Sequence, residues 1–173
     1  MNKIKNQMGF ATLEIILVTA IIGILATIAV PKMIRSLDKV TLNYEMKHLY
    51  SELNFARSLS KTACFKPSIF INEISNANND VRITVNKNGY YELFRNVNNV
   101  KHSMRKHYLP SGFQITRNNL DATITFDNYG SAKNLGSQSV ASGHYTLNSK
   151  LNDKAYIIFD SVGRFRGSYE APK

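Results

Sequence analysis

Apolar and polar positions follow three successive patterns along the chain. Residues 10–30 are almost all apolar, and Glu14 is the one charged residue among them. From Leu42 to Ala56 apolar residues recur at helical spacing, and beyond Pro67 they alternate with polar residues in short runs. These patterns predict a membrane-length helix, an amphipathic helix and a set of β-strands, in that order. The expected fold class is therefore α+β.

The first apolar segment, Phe10–Val30, has 21 residues. At about 1.5 Å per residue it spans roughly 31 Å, which is the thickness of the hydrocarbon core of a bilayer. One membrane-spanning helix is expected here. Glu14 needs an explanation, because an unpaired carboxylate in such a helix costs about 2.5 to 3.5 kcal/mol.

A second, amphipathic part of the helix is predicted over residues 31–66. Pro31 is expected to kink the helix, since proline lacks an N–H and crowds the preceding turn. The helix should run to about Thr62 and end before Pro67. Its apolar stripe is expected to pack on the sheet, with a partner-binding helix as the alternative. The stripe consists of Leu42, Met46, Leu49, Leu53 and Ala56.

Residues 67–173 are predicted to form a head with a small antiparallel β-sheet. The predicted strands are short runs rich in branched and aromatic residues: Ser68–Ile74, Val81–Val85, Tyr90–Phe94, Phe113–Thr116, Thr123–Phe126, His144–Leu147 and Ala155–Phe159. Asn88-Gly89 predicts a hairpin with a two-residue type I′ turn. The stretches Asn76–Asp80 and Lys133–Gly143 are expected to be exposed loops.

The residues around the first apolar segment leave its role open. Lys3 and Lys5 fit the basic region of a secretory signal with a cleavage site near residues 27–29, but the apolar run is long for a signal and contains an acid. A plain membrane anchor explains the length and leaves Glu14 unexplained. Basic residues flank the segment on both sides, so charge does not decide its orientation.

Gly9-Phe10-Ala11-Thr12-Leu13-Glu14 resembles the leader junction of type IV pilins and pseudopilins. The resemblance implies that residues 1–9 are a leader, that prepilin peptidase cleaves between Gly9 and Phe10, and that Phe10 is then N-methylated. Glu14 becomes the fifth residue of the mature chain. Its carboxylate then has a cationic amine to meet, either its own or that of a neighbouring subunit, and the second pairing would set the register of helices in a filament.

The head also resembles the GspH/FimT group of minor pilins. The similar segments are residues 55–58, 124–130, 145–147, 156–159 and 163–166, and nothing familiar is found between Asn72 and Val100. The resemblance implies that the Gly163-Arg164-Phe165-Arg166 segment captures DNA. In a strand Arg164 and Arg166 would share one face, about 6.6 Å apart, with Phe165 turned toward the core.

The charge balance fits an anionic partner. The chain has 22 Lys and Arg residues against 12 Asp and Glu, a formal net charge of +10, which suits nucleic acid, membrane lipid or a cell-wall polymer and does not choose among them. The densest basic stretch includes Lys101, Arg105 and Lys106. These three are weaker candidates for DNA binding, and beside the Arg164 strand they would extend a phosphate-binding groove.

Catalytic chemistry is not expected. Cys64 is the only cysteine and is expected to be a small buried residue. The four histidines lack metal-ligand spacing and are expected at the surface, and no serine has a nucleophile context. No enzyme activity, metal or cofactor is therefore predicted.

The predicted function is that of a minor pilin of a type IV pilus or competence pseudopilus. The alternative is a GspH-like pseudopilin of a type II secretion system, and a secreted or anchored enzyme is the third possibility. Expected partners are other pilins, prepilin peptidase, inner-membrane lipid before assembly, and DNA. The chain is expected to cross the membrane once, with the leader in the cytoplasm and the head outside, and then to enter an extracellular or periplasmic filament.

Overall fold

The computed structural model describes residues 4–63, 80–87, 89–97, 100–127, 129–134 and 141–172. These residues contain one helix, α1 (Ile4–Ala63), and nine strands. The strands are β1 (Asp80–Asn86), β2 (Tyr90–Val97), β3 (Val100–Tyr108), β4 (Gln114–Asn118), β5 (Thr123–Phe126), β6 (Ala132–Asn134), β7 (Gly143–Asn148), β8 (Lys154–Phe159) and β9 (Phe165–Ser168). The chain divides into two compact units, residues 1–38 and 39–173. The α+β class is confirmed.

The strands form two antiparallel sheets instead of the single small sheet that the sequence predicts. The five-stranded sheet has the order β3-β2-β1-β5-β6, and the four-stranded sheet has the order β4-β7-β8-β9. Periodicity shows that a segment is a strand but not which strand it pairs with, so the number of sheets was not predictable from the runs themselves.

The apolar stripe of the second part of α1 lies in the core of the head, as predicted. Leu49, Leu53 and Ala56 are fully buried, and Leu42 and Met46 nearly so. They belong to the same buried cluster as alternate residues of both sheets, including Ile83, Ile124, Tyr145 and Ile157. The spacing of three to four residues places the stripe on one side of the helix, and burial of that side holds the helix and sheets together.

Six predicted strands are confirmed, namely those in β1, β2, β4, β5, β7 and β8. The predicted strand Ser68–Ile74, the residue Cys64 and the last three residues of the predicted helix, 64–66, lie outside the described residues. Helix α1 includes Pro31 and continues beyond it. The kink at Pro31 stays a prediction.

Two of the predicted loops are wrong at their ends. Asp80 is the first residue of β1, and Lys133 lies in β6. Ala141 is fully buried, and its N–H donates to the carbonyl of Ala132 in β6. The sequence also did not predict β3, whose polar residues are exposed on nearly every position and carry no apolar alternation.

Four hairpins have the same kind of loop. Each loop has three residues, and the φ angle of the third lies in the left-handed region. These third residues are Gly89 (φ 77°), Gly130 (φ 77°), Asn152 (φ 65°) and Gly163 (φ 76°). Each donates its N–H to the carbonyl of the residue before the loop, at 2.8 to 3.2 Å. A residue in the left-handed region at the third position is common in three-residue hairpin loops. The hairpin predicted at Asn88-Gly89 is confirmed, but its loop has three residues because Asn86 pairs with Tyr90, so the predicted type I′ turn is wrong.

Candidate functional site

The unit of residues 1–38 consists of the apolar part of α1. Residues 12–37 are exposed throughout, and their large apolar side chains are between 48% and 68% exposed. Within the described residues, α1 is the one helix that is long and apolar enough to cross a membrane. By length and composition it is compatible with a single membrane span.

The polar side chains of this segment differ in whether they hydrogen-bond within the helix. The hydroxyls of Thr19 and Thr27 donate to the carbonyls of Ile16 and Ile24, at 3.0 and 2.6 Å. Such bonds satisfy a hydroxyl within the helix itself, as an apolar surrounding requires. Glu14 is charged and exposed on the helix surface. In an apolar surrounding its carboxylate would have no water to solvate it.

The processing residues Gly9 and Phe10 belong to α1, and their side chains lie outside the described part of the chain. Cleavage between them and N-methylation of Phe10 stay predictions.

Arg164 and Arg166 lie at the loop between β8 and β9 and at the start of β9. Both are exposed, while Phe165 between them is buried, which is the alternation expected of a strand. The Phe165 ring contacts the rings of Tyr50 and Phe159, each with centroids 5.5 Å apart. Burial of this one ring therefore holds the two arginines outward.

The loop that precedes the arginines is fixed by Asp160. Its Oδ1 accepts the N–H groups of Val162 and Arg164 at 3.0 and 2.8 Å. The Arg164 guanidinium is 3.8 Å from the Asp160 carboxylate, and its side chain is 70% exposed. Such an exposed pair is weak, so the Arg164 guanidinium remains accessible to a competing anion.

The three basic residues of β3 are engaged by the protein itself. Lys101 pairs with Glu92 at 2.5 Å, and Arg105 pairs with Glu52 at 3.1 Å. The Lys106 ammonium lies over two rings, 4.2 Å from the centre of Tyr90 and 4.9 Å from that of Tyr108. An anionic ligand at β3 would have to compete with these contacts.

The basic stretch of β3 does not adjoin the arginines of β9, so the single groove considered from the sequence does not form. The two strands are edges of different sheets. They also contact different sides of α1: β3 reaches Glu45 and Glu52, whereas Phe165 and Gly167 of β9 lie against Tyr50 and Met46. Strand order is a long-range property, and neither basic segment contains information about it.

His102 is exposed, as expected of a surface histidine, whereas His107 is half-buried. Its Nε2 lies 2.8 Å from Oε2 of the buried Glu45, and its ring stacks on that of His48 with centroids 4.2 Å apart. His48 also hydrogen-bonds to the hydroxyl of Tyr91. The carboxylate comes from α1, 62 residues earlier, which is why the local sequence around His107 did not reveal it.

Several pKa values in the head are displaced. Burial, reinforced by the negative charges of Glu45 and Glu52, raises the pKa of Tyr91 far above its ordinary range. The hydrogen bond from Lys101 lowers the pKa of Glu92. Burial lowers the pKa of His144. Tyr91 therefore remains a neutral hydroxyl, which suits its hydrogen bond with His48.

A cavity of about 260 Å³ opens between α1 and the β2–β3 hairpin. Its lining includes His48, Glu52, Tyr91, Arg105 and His107. Within the described residues, no group of three or more His, Cys, Asp or Glu side chains is arranged to hold a metal ion. The cavity walls are the same residues that attach β3 to the helix.

Sequence reasoning missed two basic residues at the end of α1. Arg57 and Lys61 lie against the turn between β5 and β6, so closely that a Cβ on Gly130 would come within 2.5 Å of Cε of Lys61 and 2.9 Å of Cγ of Arg57. Among the described residues, no carboxylate forms an ion pair with either of them. Their spacing of four residues on one face was the available signal.

No protein-family model, curated protein or solved structure matches the chain.

Proposed function

We propose that the chain is a minor pilin of a type IV pilus or competence pseudopilus, of the GspH/FimT kind. The observation that supports this most is the difference in burial between the two parts of α1. Residues 12–37 expose apolar side chains with Glu14 near their start, whereas Leu49 and Leu53 of the same helix are fully buried in the head. One helix thus serves as an anchor at one end and as a core element at the other.

The exposed apolar side chains need a non-aqueous surrounding in every state of the protein. Before assembly that surrounding is the inner membrane, and after assembly it is the bundle of neighbouring subunits' helices in the filament. The leader lies in the cytoplasm and the head outside. Other pilins and prepilin peptidase are accordingly the protein partners.

Glu14 sets the register of the assembled helices. Cleavage after Gly9 frees the amine of Phe10, and a buried carboxylate is tolerated when a cation meets it. The amine of a neighbouring subunit supplies that cation. The ion pair can form at only one axial position of the entering helix relative to its neighbour, so that position is favoured. Pairing within one subunit is available before assembly, since the two groups are four residues apart.

The head contributes DNA binding through Arg164 and Arg166. Both are exposed, their backbone is fixed by Asp160 and Phe165, and planar guanidinium groups suit phosphate oxygens. Lys101, Arg105 and Lys106 remain the weaker candidates, because protein acids and rings already occupy them.

Mass spectrometry of the mature protein from its native cells tests the proposal. We expect an N-terminus at N-methylated Phe10, and a Gly9→Leu variant, whose bulky residue blocks the peptidase, should retain the first nine residues. A mature N-terminus near residue 30 would instead indicate a secretory signal and refute the pilin assignment.

Deletion of the gene separates the two machines. We expect DNA uptake to fall while protein secretion continues. The opposite result would assign the subunit to a type II secretion pseudopilus.

A further inference from the structure

The basic residues of the head fall into two groups that differ in what already binds them. Lys101 and Arg105 of β3 have carboxylate partners at 2.5 and 3.1 Å. Arg57 and Lys61 of α1 have no ion-pair partner among the described residues, and neither does Arg166. A cation without a protein partner is the better ligand for an external anion, because no existing pair has to be broken.

Arg57 and Lys61 lie on the side of the helix that β9 contacts. Tyr50 on this side touches Phe165, and Met46, one turn earlier, lies against Gly167. Arg57 follows Tyr50 by seven residues, which is two turns and about 10 Å along the axis. Lys61 follows one turn further on the same face.

Two neighbouring hairpin turns connect this end of the helix to Arg164. The turn at Gly130 packs on Arg57 and Lys61. The next strand, β6, joins the turn at Gly163, because the N–H of Ala132 donates to the Gly163 carbonyl at 3.3 Å. Arg57, Lys61 and Arg164 are thus presented by adjoining elements, although the first two and the third are about a hundred residues apart in the chain.

The same end of the head carries further exposed groups. Tyr129, at the tip of the turn that contains Gly130, is 84% exposed, and Lys133 of β6 is attached to Asp127 at 3.2 Å. The Nε atom of Arg57 is buried and makes no hydrogen bond. The base of the Arg57 guanidinium is thus enclosed beneath the turn at Gly130, whereas Lys61 is exposed.

From this arrangement we infer that Arg57 and Lys61 belong to the DNA-binding surface and, with Arg164 and Arg166, contact successive phosphates of a duplex backbone. The inference rests on the proposed DNA-binding role of the head. The ligand chemistry is the phosphodiester backbone and not the bases, because contacts from Lys and Arg to phosphates hold a protein on a duplex without reading its sequence. The helix end is suited to cations in any case, since its terminal carbonyls carry partial negative charge.

A salt titration of DNA binding tests the inference. The full chain, held in a non-ionic detergent, is titrated with a fluorescein-labelled duplex at several salt concentrations. The variant Arg57→Gln/Lys61→Gln keeps the side-chain stems that pack under Gly130 and removes two charges. We expect weaker binding at low salt and a plot of log K against log salt that is shallower by roughly 1.8, since each lost phosphate contact removes about 0.9.

The matched control is Lys47→Gln/Lys154→Gln, which removes two exposed charges elsewhere: Lys47 lies fourteen residues before Lys61, about 21 Å back along α1, and Lys154 lies at the end of β8 away from Asp160. The control should keep nearly the original slope. If both double variants change the slope equally, the effect is one of net charge and the inference is wrong. Circular dichroism of each variant verifies that the fold is retained.

A third variant separates the inference from the role on which it rests. If Arg164→Ala/Arg166→Ala weakens binding while Arg57→Gln/Lys61→Gln does not, the DNA role stands and the helix end is not part of the surface. If the unaltered chain does not bind the duplex at low salt, the DNA role itself is refuted.

Discussion

Single residues with unusual backbone angles determine where the arginines of the head lie. Gly163 has φ 76°, a region that costs an L-residue with a side chain roughly 1 to 2 kcal/mol. It closes the turn whose N–H groups bind Asp160, and Arg164 follows it directly. The position of Arg164 therefore depends on a glycine that carries no charge.

Replacement of this glycine tests that dependence. Gly163→Ala should lower the free energy of unfolding by about 1 to 2 kcal/mol, because alanine resists the left-handed region. Urea denaturation followed by circular dichroism measures the change. Ser161→Ala, an exposed position in the same turn, is the control and should have little effect. Equal effects of the two substitutions would show that the backbone angle is not the cause.

Glu92 gives the head a predictable response to acid. Its pKa is lowered chiefly by the hydrogen bond from Lys101, so the ionised form is favoured in the folded state. The stability that this contributes is present above the ordinary pKa of 4.5 and is lost as the pH falls through the lowered value.

Glu92→Gln should therefore reduce stability at pH 7, and this reduction should shrink as the pH falls below 4.5. The difference should be roughly 0.5 kcal/mol, as for other ion pairs that water partly screens. Thermal unfolding at several pH values measures it, with Glu170→Gln, an exposed acid, as the control. A constant difference between wild type and Glu92→Gln from pH 3 to pH 7 would contradict the assignment.

At the scale of elements, α1 combines two surfaces of opposite character. The stripe from Leu42 to Ala56 is buried, and the apolar residues 12–37 are exposed. The sequence showed both, since a continuous apolar run and a periodic one differ in pattern. β3 was missed because its residues are held by ion pairs and a hydrogen-bonded ladder, and not by an apolar face.

Glu14→Gln tests the role of the helix in assembly. The amide lacks the charge that a neighbour's amine would meet, so membrane insertion should be retained and incorporation into filaments should fall about ten-fold, which corresponds to about 1.4 kcal/mol. Immunoblots of the membrane and sheared-filament fractions measure the two quantities. Thr19→Ala is the control, because the Thr19 hydroxyl bonds within its own helix. Normal incorporation of Glu14→Gln would remove the ion pair from the proposal.

At the scale of the whole molecule, the basic residues behind the net charge of +10 differ in how accessible they are to an external anion. β3 is the densest basic segment in the sequence, yet Glu52 and Glu92 neutralise two of its cations. Arg164, Arg166 and Lys61 are exposed and lie outside β3, near the β8–β9 turn and in the last part of α1. A count of basic residues therefore does not show which cations are accessible to an anionic ligand.

The two basic regions can be compared directly. In a gel-shift assay at low salt, Arg164→Ala/Arg166→Ala should reduce retention of a DNA duplex strongly, because two accessible cations are lost. Lys101→Ala/Lys106→Ala removes the same number of charges and should reduce retention less, since Lys101 has a carboxylate partner and Lys106 lies over two rings. The reverse order would contradict the proposed role of Arg164 and Arg166 and favour β3 instead.

The sequence by itself determined the features that depend on neighbours along the chain. These features are the apolar run around Glu14, the stripe from Leu42 to Ala56, most of the strands and the hairpin at Asn88-Gly89. Each depends on the spacing of apolar residues or on a local backbone angle, and both can be inferred from consecutive residues. The length of that hairpin loop could not be predicted from the sequence, because it depends on the register in which β1 and β2 pair.

Only the tertiary structure decided which distant residues meet. It paired His107 with Glu45 and Arg105 with Glu52, and it placed Gly130 against Lys61. These contacts join α1 to strands that lie tens of residues later, and they follow from strand order and from the packing of the helix on two sheets. Short-range attraction between charges acts only after the fold has brought them together, so no local pattern records it.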